Sequence, residues 1–227
     1  MRPPMPDSHE ILEHLAAASL DARWLALAWH SIVGAALVAW AAGWRPAPSQ
    51  VVRALSVPLL SASAIAWMFG NPFNGTVMLA AALILAAPRA RTLESEATPS
   101  GPWARMIGLG LLGFSWVYPH FFEEPPALDY LLFSPMGVIP CPTLALVLGL
   151  LLLLEGIVGH WGTIIVAAAG AFYGLFGWLV LGVNLDIVLA AGSGAVLARS
   201  IFLRAARQDR YLRGATRSSS DFKRSSS

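Results

Sequence analysis

The stretch Leu144-Ala-Leu-Val-Leu-Gly-Leu-Leu-Leu-Leu-Leu154 has no polar side chain, and it lies inside a longer apolar segment from Gly137 to Val158. The hydrocarbon core of a bilayer is roughly 30 Å thick, and an α-helix of about 20 mostly apolar residues crosses it. The segment has that length. We therefore predict that it spans a membrane.

The composition of the whole chain also indicates a membrane protein. Of its 227 residues 56% are hydrophobic and 12% are charged, whereas a soluble domain carries about 25% charged residues. This balance excludes a disordered protein, a disulfide-rich secreted module and a nucleic-acid-binding domain, so we expect no nucleic acid among the partners. The single cysteine, Cys141, excludes an intramolecular disulfide.

Six further apolar segments lie between charged and turn residues. Together they predict an all-α fold, a polytopic transmembrane helix bundle of about seven spans. The third segment has only about a dozen residues, below the usual limit of roughly 17, so we expect a tilted, buried or re-entrant helix there; a re-entrant helix leaves six spans. The segments run approximately from Trp24 to Trp44, Val51 to Gly70, Thr76 to Ala87, Ala104 to Phe122, Gly137 to Val158, Trp161 to Val183 and Leu185 to Leu203.

The chain divides into three regions: an N-terminal amphipathic segment over 1–23, a transmembrane helical domain over 24–203, and a basic, Ser-rich tail over 204–227. The composition of the tail is typical of disorder. Acidic residues and the lack of a continuous apolar core in the first region argue against a cleavable signal peptide. Its spaced apolar residues predict a short surface helix that begins at Ser8 or Asp7.

Basic residues collect near one set of span ends. Lys and Arg are retained on the cytoplasmic side, and an odd number of spans puts the two termini on opposite sides. We therefore predict a cytoplasmic C-terminus and an N-terminus outside. The outer side has only Arg2 and Arg23, whereas the inner side has Arg45, Arg53, Arg89, Arg91, Arg105 and the tail from Arg199 to Arg224.

Four arginines of the tail, Arg204, Arg207, Arg210 and Arg213, follow one another at three-residue spacing. They are candidates for a contact with anionic lipid, which is worth about 1 kcal/mol per basic residue near the surface, or with a protein partner. The alternative is a solvated helix end that serves only as a topology signal.

Between the fourth and fifth spans, polar and aromatic side chains lie close to several prolines. Cys141 stands between Pro140 and Pro142; it is either a small thiol packed at a helix start or a soft metal ligand or redox thiol reached from the outer face. His120 and the neighbouring acids, Glu123 and Glu124, would complete a metal site with it, although their spacing matches no known ligand signature. The alternative for this loop is a solvated acidic surface.

Asp186, at the start of the seventh span, is a stronger candidate than the loop acids. A carboxylate near hydrocarbon is costly and needs a partner or a role, unless it simply caps the helix that follows. His30 lies in the outer half of the first span. We expect it to meet Asp186 or His120 if these helices adjoin.

Two motifs have a familiar order: Ser134-Pro-Met-Gly-Val-Ile-Pro-Cys-Pro-Thr143 before a leucine-rich span, and Leu181-Gly-Val-Asn-Leu-Asp186 before the last span. This order resembles a family of bacterial multi-pass membrane proteins classed only as a domain of unknown function. The Pro-Cys-Pro-Thr turn is the distinctive element, and Ile139 departs from the family, which often has threonine there. The resemblance implies a protein of the bacterial inner (plasma) membrane and favours the cysteine and the aspartate of these motifs. It implies no activity.

Two functions fit these observations. A permease-like protein would hold a solute in an outer-face polar pocket that includes Cys141, Asp186, His120 and His30. A structural or accessory subunit would instead pack against a larger membrane complex, or against a second copy of the chain, through glycine-rich spans such as Gly170-x-x-x-Gly174. An enzyme ranks third, because no Ser-His-Asp, His-Glu-x-x-His or phosphate-loop motif is present. The sequence specifies no cofactor, metal or substrate.

Overall fold

The computed structural model describes residues 7–87, 98–118, 127–155 and 157–204, and these ranges are mostly helical. Two strands of two residues each, β1 (Thr98–Pro99) and β2 (Leu154–Glu155), pair antiparallel. The all-α class is confirmed for this part of the chain. Its helices are α1 (Ser8–Asp21), α2 (Arg23–Ala41), α3 (Pro48–Met68), α4 (Pro72–Ala86), α5 (Pro102–Trp116), α6 (Ala127–Phe133), α7 (Pro140–Leu153), α8 (His160–Leu179) and α9 (Asn184–Arg204), which begins with a 3-10 turn.

Four helices, α2, α3, α8 and α9, are long and apolar enough to cross a membrane, with 19 to 21 residues each. Helices α4 and α7 are apolar but shorter, and α5 has 15 residues. The prediction of a helical membrane protein is therefore confirmed in this coarse form. The number of crossings stays a prediction.

Helix α7 is shorter than the segment predicted from Gly137 to Val158. Its 14 residues rise only about 21 Å, and 12 of them are buried. After Leu153 the chain leaves the helix and pairs as β2 with β1. An apolar run surrounded by other helices looks the same in sequence as a run that faces lipid, so the strongest apolar segment is the centre of the bundle.

Helix α5 packs against α7 with the two backbones in close contact. A Cβ atom added to Gly108 would lie 2.8 Å from the carbonyl oxygen of Gly149, and one added to Gly149 would lie 2.9 Å from that of Gly108. Glycine at both positions permits this approach, as small residues do between membrane helices.

Other helix limits also differ from those predicted. Helix α4 begins at Pro72, earlier than Thr76, because the Asn71 side chain accepts from the Asn74 amide and proline suits a first turn. Helix α5 ends at Trp116 instead of Phe122. Helix α8 ends at Leu179 instead of Val183, three residues before Gly182, whose φ of 72° places it in the left-handed region.

Helix ends form two groups. The end of α3, the second half of α8 and the starts of α4, α7 and α9 surround one cavity, and we call this side the Asp186 end. At the opposite side, the residues after α2 and the start of α3 line a groove with the end of α7. Arg199 donates to Ser100 beside Leu153. We call this side the arginine end, because the arginines near it are Arg45, Arg53, Arg105, Arg199 and Arg204.

Helix α1 begins where the sequence predicted. The Asp7 carboxylate accepts from the Glu10 amide at 2.8 Å, and the Glu10 carboxylate accepts from the Asp7 amide at 3.3 Å, which is a capping box. Ile11, Leu12 and Leu15 line the cavity at the Asp186 end. The apolar face of this helix therefore packs on the protein.

Candidate functional site

The cavity at the Asp186 end has a volume of about 710 Å³, within the range of roughly 300–1,000 Å³ typical of small-molecule sites. Six parts of the chain line it: α1, the turn between α3 and α4 with the start of α4, Tyr118 after α5, the start of α7, the second half of α8, and the start of α9. Asp186 is the only Asp, Glu, Lys or Arg among the described lining residues.

The Asp186 carboxylate is a buried polar part of the lining of this cavity, with only 1% of the residue exposed. The Tyr118 hydroxyl donates to Oδ1 at 2.6 Å, and the Cys141 thiol lies 3.6 Å from Oδ2 as a weak donor. The structure therefore brings together the two residues that the sequence favoured, Cys141 and Asp186. No Lys, Arg or His forms an ion pair with Asp186 in the described ranges.

The backbone before α9 turns the Asp186 side chain inward. The Val183 amide donates to the Gly177 carbonyl at 2.8 Å, and the Asp186 amide donates to the Val183 carbonyl at 3.0 Å. A Cβ atom on Gly177 would overlap the carboxylate, so glycine provides the space that this side chain occupies. The carboxylate accepts from Tyr118 and Cys141 and not from the backbone of the following helix, contrary to the capping alternative.

The turn that precedes α7 is buried and holds Cys141 in place. Gly137 has a φ of 73°, and its amide donates to the Thr143 hydroxyl at 2.9 Å. That hydroxyl donates to the Ile139 carbonyl at 2.6 Å. The Gly137 carbonyl accepts from Ser61 on α3, also at 2.6 Å. This geometry requires glycine for two reasons. The positive φ is rarely adopted by other residues, and a Cβ atom would collide with the Trp29 ring.

Two serines, Ser115 and Ser134, hold the backbone around Tyr118 in place through hydrogen bonds. The Ser134 hydroxyl accepts from the Tyr118 amide at 3.1 Å and donates to the Ser115 carbonyl at 2.9 Å. The Ser115 hydroxyl donates to the Pro142 carbonyl at 2.7 Å. The motif from Ser134 to Thr143 is therefore a hydrogen-bonded unit that connects the end of α5 to the start of α7.

Aromatic rings form another part of the cavity wall. Phe172 and Phe176 are stacked, with ring centroids 5.8 Å apart and an interplanar angle of 18°. The ring centroid of Phe73 lies 5.6 Å from that of Phe172 and 6.5 Å from that of Tyr173. The Tyr173 hydroxyl donates to the Asn74 side chain at 2.8 Å, which satisfies the polar end of this ring.

His30 does not join the cavity. Its Nδ1 lies 2.8 Å from the Ala26 carbonyl and its Nε2 lies 3.1 Å from the Trp116 carbonyl, while its ring packs edge-on against Trp116. Both ring nitrogens therefore face backbone carbonyls, and the expected contact with Asp186 is absent between these two described residues. His120 lies outside the described residues.

Two donors are too few for a metal site. In the ranges that the structure describes, no group of three or more His, Cys, Asp and Glu side chains is placed to hold an ion. The proposed completion by His120, Glu123 and Glu124 falls outside those ranges. The metal alternative for Cys141 stays a prediction.

The first arginine of the tail lies at the arginine end of the bundle. The Arg204 guanidinium is 5.8 Å from the centre of the Trp161 ring and 3.1 Å from His160 Nε2. His160 Nδ1 lies 2.8 Å from the Ser200 hydroxyl. Arg207, Arg210 and Arg213 lie outside the described residues.

No family model, curated protein or solved structure matches this chain. The resemblance carried by the Pro-Cys-Pro-Thr turn therefore stays a prediction, and the function has to be argued from the site itself.

Sequence reasoning missed several residues of the cavity. Tyr118 stood in the polar cluster between the fourth and fifth spans, but nothing marked it as the partner of Asp186, 68 residues away. Tyr173 and Phe176 read as ordinary residues of an apolar span. Only a prediction of which helices adjoin would have found them.

Proposed function

We propose that this protein is a multi-pass protein of the bacterial inner membrane with seven crossings, an N-terminus outside and a cytoplasmic C-terminus. The grouping of arginines at one end of the bundle supports this orientation. Helices α4, α5 and α7 are shorter than a bilayer core. A bilayer thins locally around short segments, and helices enclosed by others need not match its thickness.

We propose further that the protein is permease-like and takes a small solute from the outer face. One observation carries this proposal: a cavity of about 710 Å³ at the end that lacks the arginine group, with a buried carboxylate in its lining. Removing a carboxylate from water costs free energy that packing alone does not return. A polar group kept at such a position is typical of a binding site or a transport path.

Native mass spectrometry of the protein, purified in mild detergent at its native expression level, tests this proposal. We expect a small molecule bound to the intact chain. The variant Cys141→Phe fills the cavity beside Asp186 and should lose it, whereas Cys141→Ser keeps the volume and should retain it. A bare chain, or a molecule retained equally by Cys141→Phe, contradicts a solute site in this cavity.

A second candidate is an accessory subunit of a larger membrane complex, with a homo-oligomer as its simplest form. A specific observation favours it: an apolar groove of about 150 Å³ runs between α2, α3 and α7, lined by Trp29, Trp40, Leu146 and Leu150 among others. Only 22% of the residues in the apolar stretch of α2 are buried within the chain. The same spectrum tests this function, since it predicts a protein partner at fixed stoichiometry.

The arginine end is proposed to contact anionic lipid of the cytoplasmic leaflet. The position of Arg204 beside Trp161 supports this contact, because aromatic and basic side chains concentrate at membrane interfaces. The remaining tail arginines would add about 1 kcal/mol each near such a surface.

A further inference from the structure

The described lining of the cavity at the Asp186 end contains one carboxylate and one imidazole, that of His14, and no Lys or Arg. Asp186 is its single Asp, Glu, Lys or Arg among the described residues that line it. Arg199 and Arg204 follow Asp186 on α9 by 13 and 18 residues, which places them about 20 and 27 Å along the helix. No described Lys or Arg therefore pairs with the carboxylate from within the cavity, and the Nδ1 atom of His14, which also lines it, lies 2.7 Å from the Glu10 carbonyl on α1.

The partners that Asp186 does have are uncharged. A carboxylate offers about four acceptor positions. The Tyr118 hydroxyl and the Cys141 thiol take two of them, and both groups fix the carboxylate without cancelling its charge. A cation that enters the cavity would supply the charged partner that the described residues do not provide for this carboxylate.

The aromatic rings in the lining of the cavity suit the organic substituents of such a cation. Phe73, Phe172, Tyr173 and Phe176 form a continuous set of ring contacts with centroids 5.3 to 6.5 Å apart, and all four line the cavity with Asp186. Aromatic rings attract cations through their negative faces, and quaternary ammonium groups are held in this way.

The size of the cavity and its described donor set favour an organic ligand over a bare metal ion. A volume of about 710 Å³ is far larger than one ion needs. The described residues offer no group of three metal-ligating side chains.

We propose that the cavity selects an organic cation, an amine or quaternary ammonium compound with an apolar body. The charged nitrogen pairs with Asp186, and its substituents contact the rings of Phe172, Tyr173 and Phe176. This inference rests on the proposed solute-binding function and names the substrate class of the same site.

Three probes of the same shape and different charge test this selectivity: choline, its neutral isostere 3,3-dimethyl-1-butanol, and the anion 3,3-dimethylbutanoate. Each is titrated calorimetrically into the full chain in maltoside micelles, which have no charged head group. We expect choline to bind at least about tenfold more tightly than the neutral isostere and the anion to bind more weakly than both.

Matched variants assign the binding to this site. Asp186→Asn keeps the shape of the side chain and should weaken choline at least about tenfold while leaving the neutral isostere unchanged. Asp21→Asn removes an exposed acid that does not line the cavity and should change neither. If Asp186→Asn fails to fold, Phe176→Leu takes its place, since it removes a ring and keeps the carboxylate.

The outcomes distinguish the cation selectivity from the proposed solute site on which it rests. Equal affinities for choline and the neutral isostere, both reduced by Cys141→Phe, overturn the cation selectivity and leave the solute site standing. Failure of all three probes to bind overturns both. Choline binding that Asp186→Asn and Phe176→Leu leave unchanged places the cation elsewhere and overturns the assignment to this cavity.

Discussion

Asp186 and Tyr118 both line the cavity and are joined by a hydrogen bond, with 2.6 Å between the tyrosine hydroxyl oxygen and Oδ1 of the carboxylate. Both residues are 1% exposed, so bulk water competes little for this bond. The bond links the end of α5 to the start of α9, two parts of the chain that are far apart in sequence. It therefore fixes this part of the cavity lining and also the packing of α5 against α9.

Tyr118→Phe removes this donor while keeping the ring. We expect the free energy of unfolding in maltoside to fall by about 1–3 kcal/mol, because a buried acceptor loses its partner. A double-mutant cycle with Asp186→Asn measures the coupling between the two groups. A coupling energy near zero would mean that the contact contributes nothing to stability.

Gly177→Ala adds a methyl group where the Asp186 carboxylate lies. Overpacking of this kind costs about 1–3 kcal/mol, so we expect a lower midpoint of thermal unfolding. Gly194→Ala on α9 is the matched control, since no heavy atom lies within 4 Å of its added Cβ and alanine favours a helix by up to about 1 kcal/mol. Equal midpoints for the two variants would contradict the placement of the carboxylate.

The single residues differed in how well the sequence predicted them. Cys141 and Asp186 were recognisable because prolines around a cysteine, and a carboxylate at the edge of an apolar span, are costly unless something requires them. His30 read as an equally costly residue in a span, but its ring nitrogens lie within hydrogen-bonding distance of the Ala26 carbonyl on the same helix and the Trp116 carbonyl on α5. Type and position along a span do not show which neighbouring backbone a side chain reaches.

Among the elements, α7 shows what the apolar pattern predicts and what it leaves open. The apolar run correctly indicated a helix without a polar face from Leu144 to Leu153, whereas Leu154 begins β2. The burial of α7 by α3, α5 and α8 decided that this helix forms the core. Lipid and protein interior are both apolar, so composition does not distinguish the two environments.

Leu148→Ala tests the core position of α7. Leu148 is fully buried, and truncation there leaves a cavity that costs about 2–5 kcal/mol. Leu175→Ala on α8 is the control, because its side chain is 44% exposed and detergent can fill the space. We expect the first variant alone to lower the unfolding midpoint strongly; comparable losses would contradict the central place of α7.

At the scale of the whole molecule, charge was the most informative signal in the sequence. Of the arginines predicted at one side, the described ones lie around one end of the bundle, since charge patterning depends only on the order of spans. Arg89, Arg91 and the tail arginines after Arg204 lie outside the described residues. Which helices adjoin was not predictable, because several glycine positions permit close packing and the sequence does not pair them. The cavity depends on that pairing.

Orientation is tested with single cysteines in a Cys141→Ser background. Ser8→Cys at the start of α1 should react with an impermeant maleimide in intact spheroplasts, and Ser225→Cys in the tail only after permeabilisation, because basic segments stay in the cytoplasm. Labelling of both from the same side would rule out an odd number of crossings. The reverse pattern would invert the proposed orientation.

The most direct test of the outer cavity uses the unmodified chain, since Cys141 is its single cysteine and lines the cavity beside Asp186. The rate of its modification by a small, impermeant methanethiosulfonate is measured in right-side-out and in inverted membrane vesicles. We predict modification in right-side-out vesicles and protection in inverted ones. Modification only in inverted vesicles, or in neither before detergent is added, would contradict a solute cavity open to the outer face.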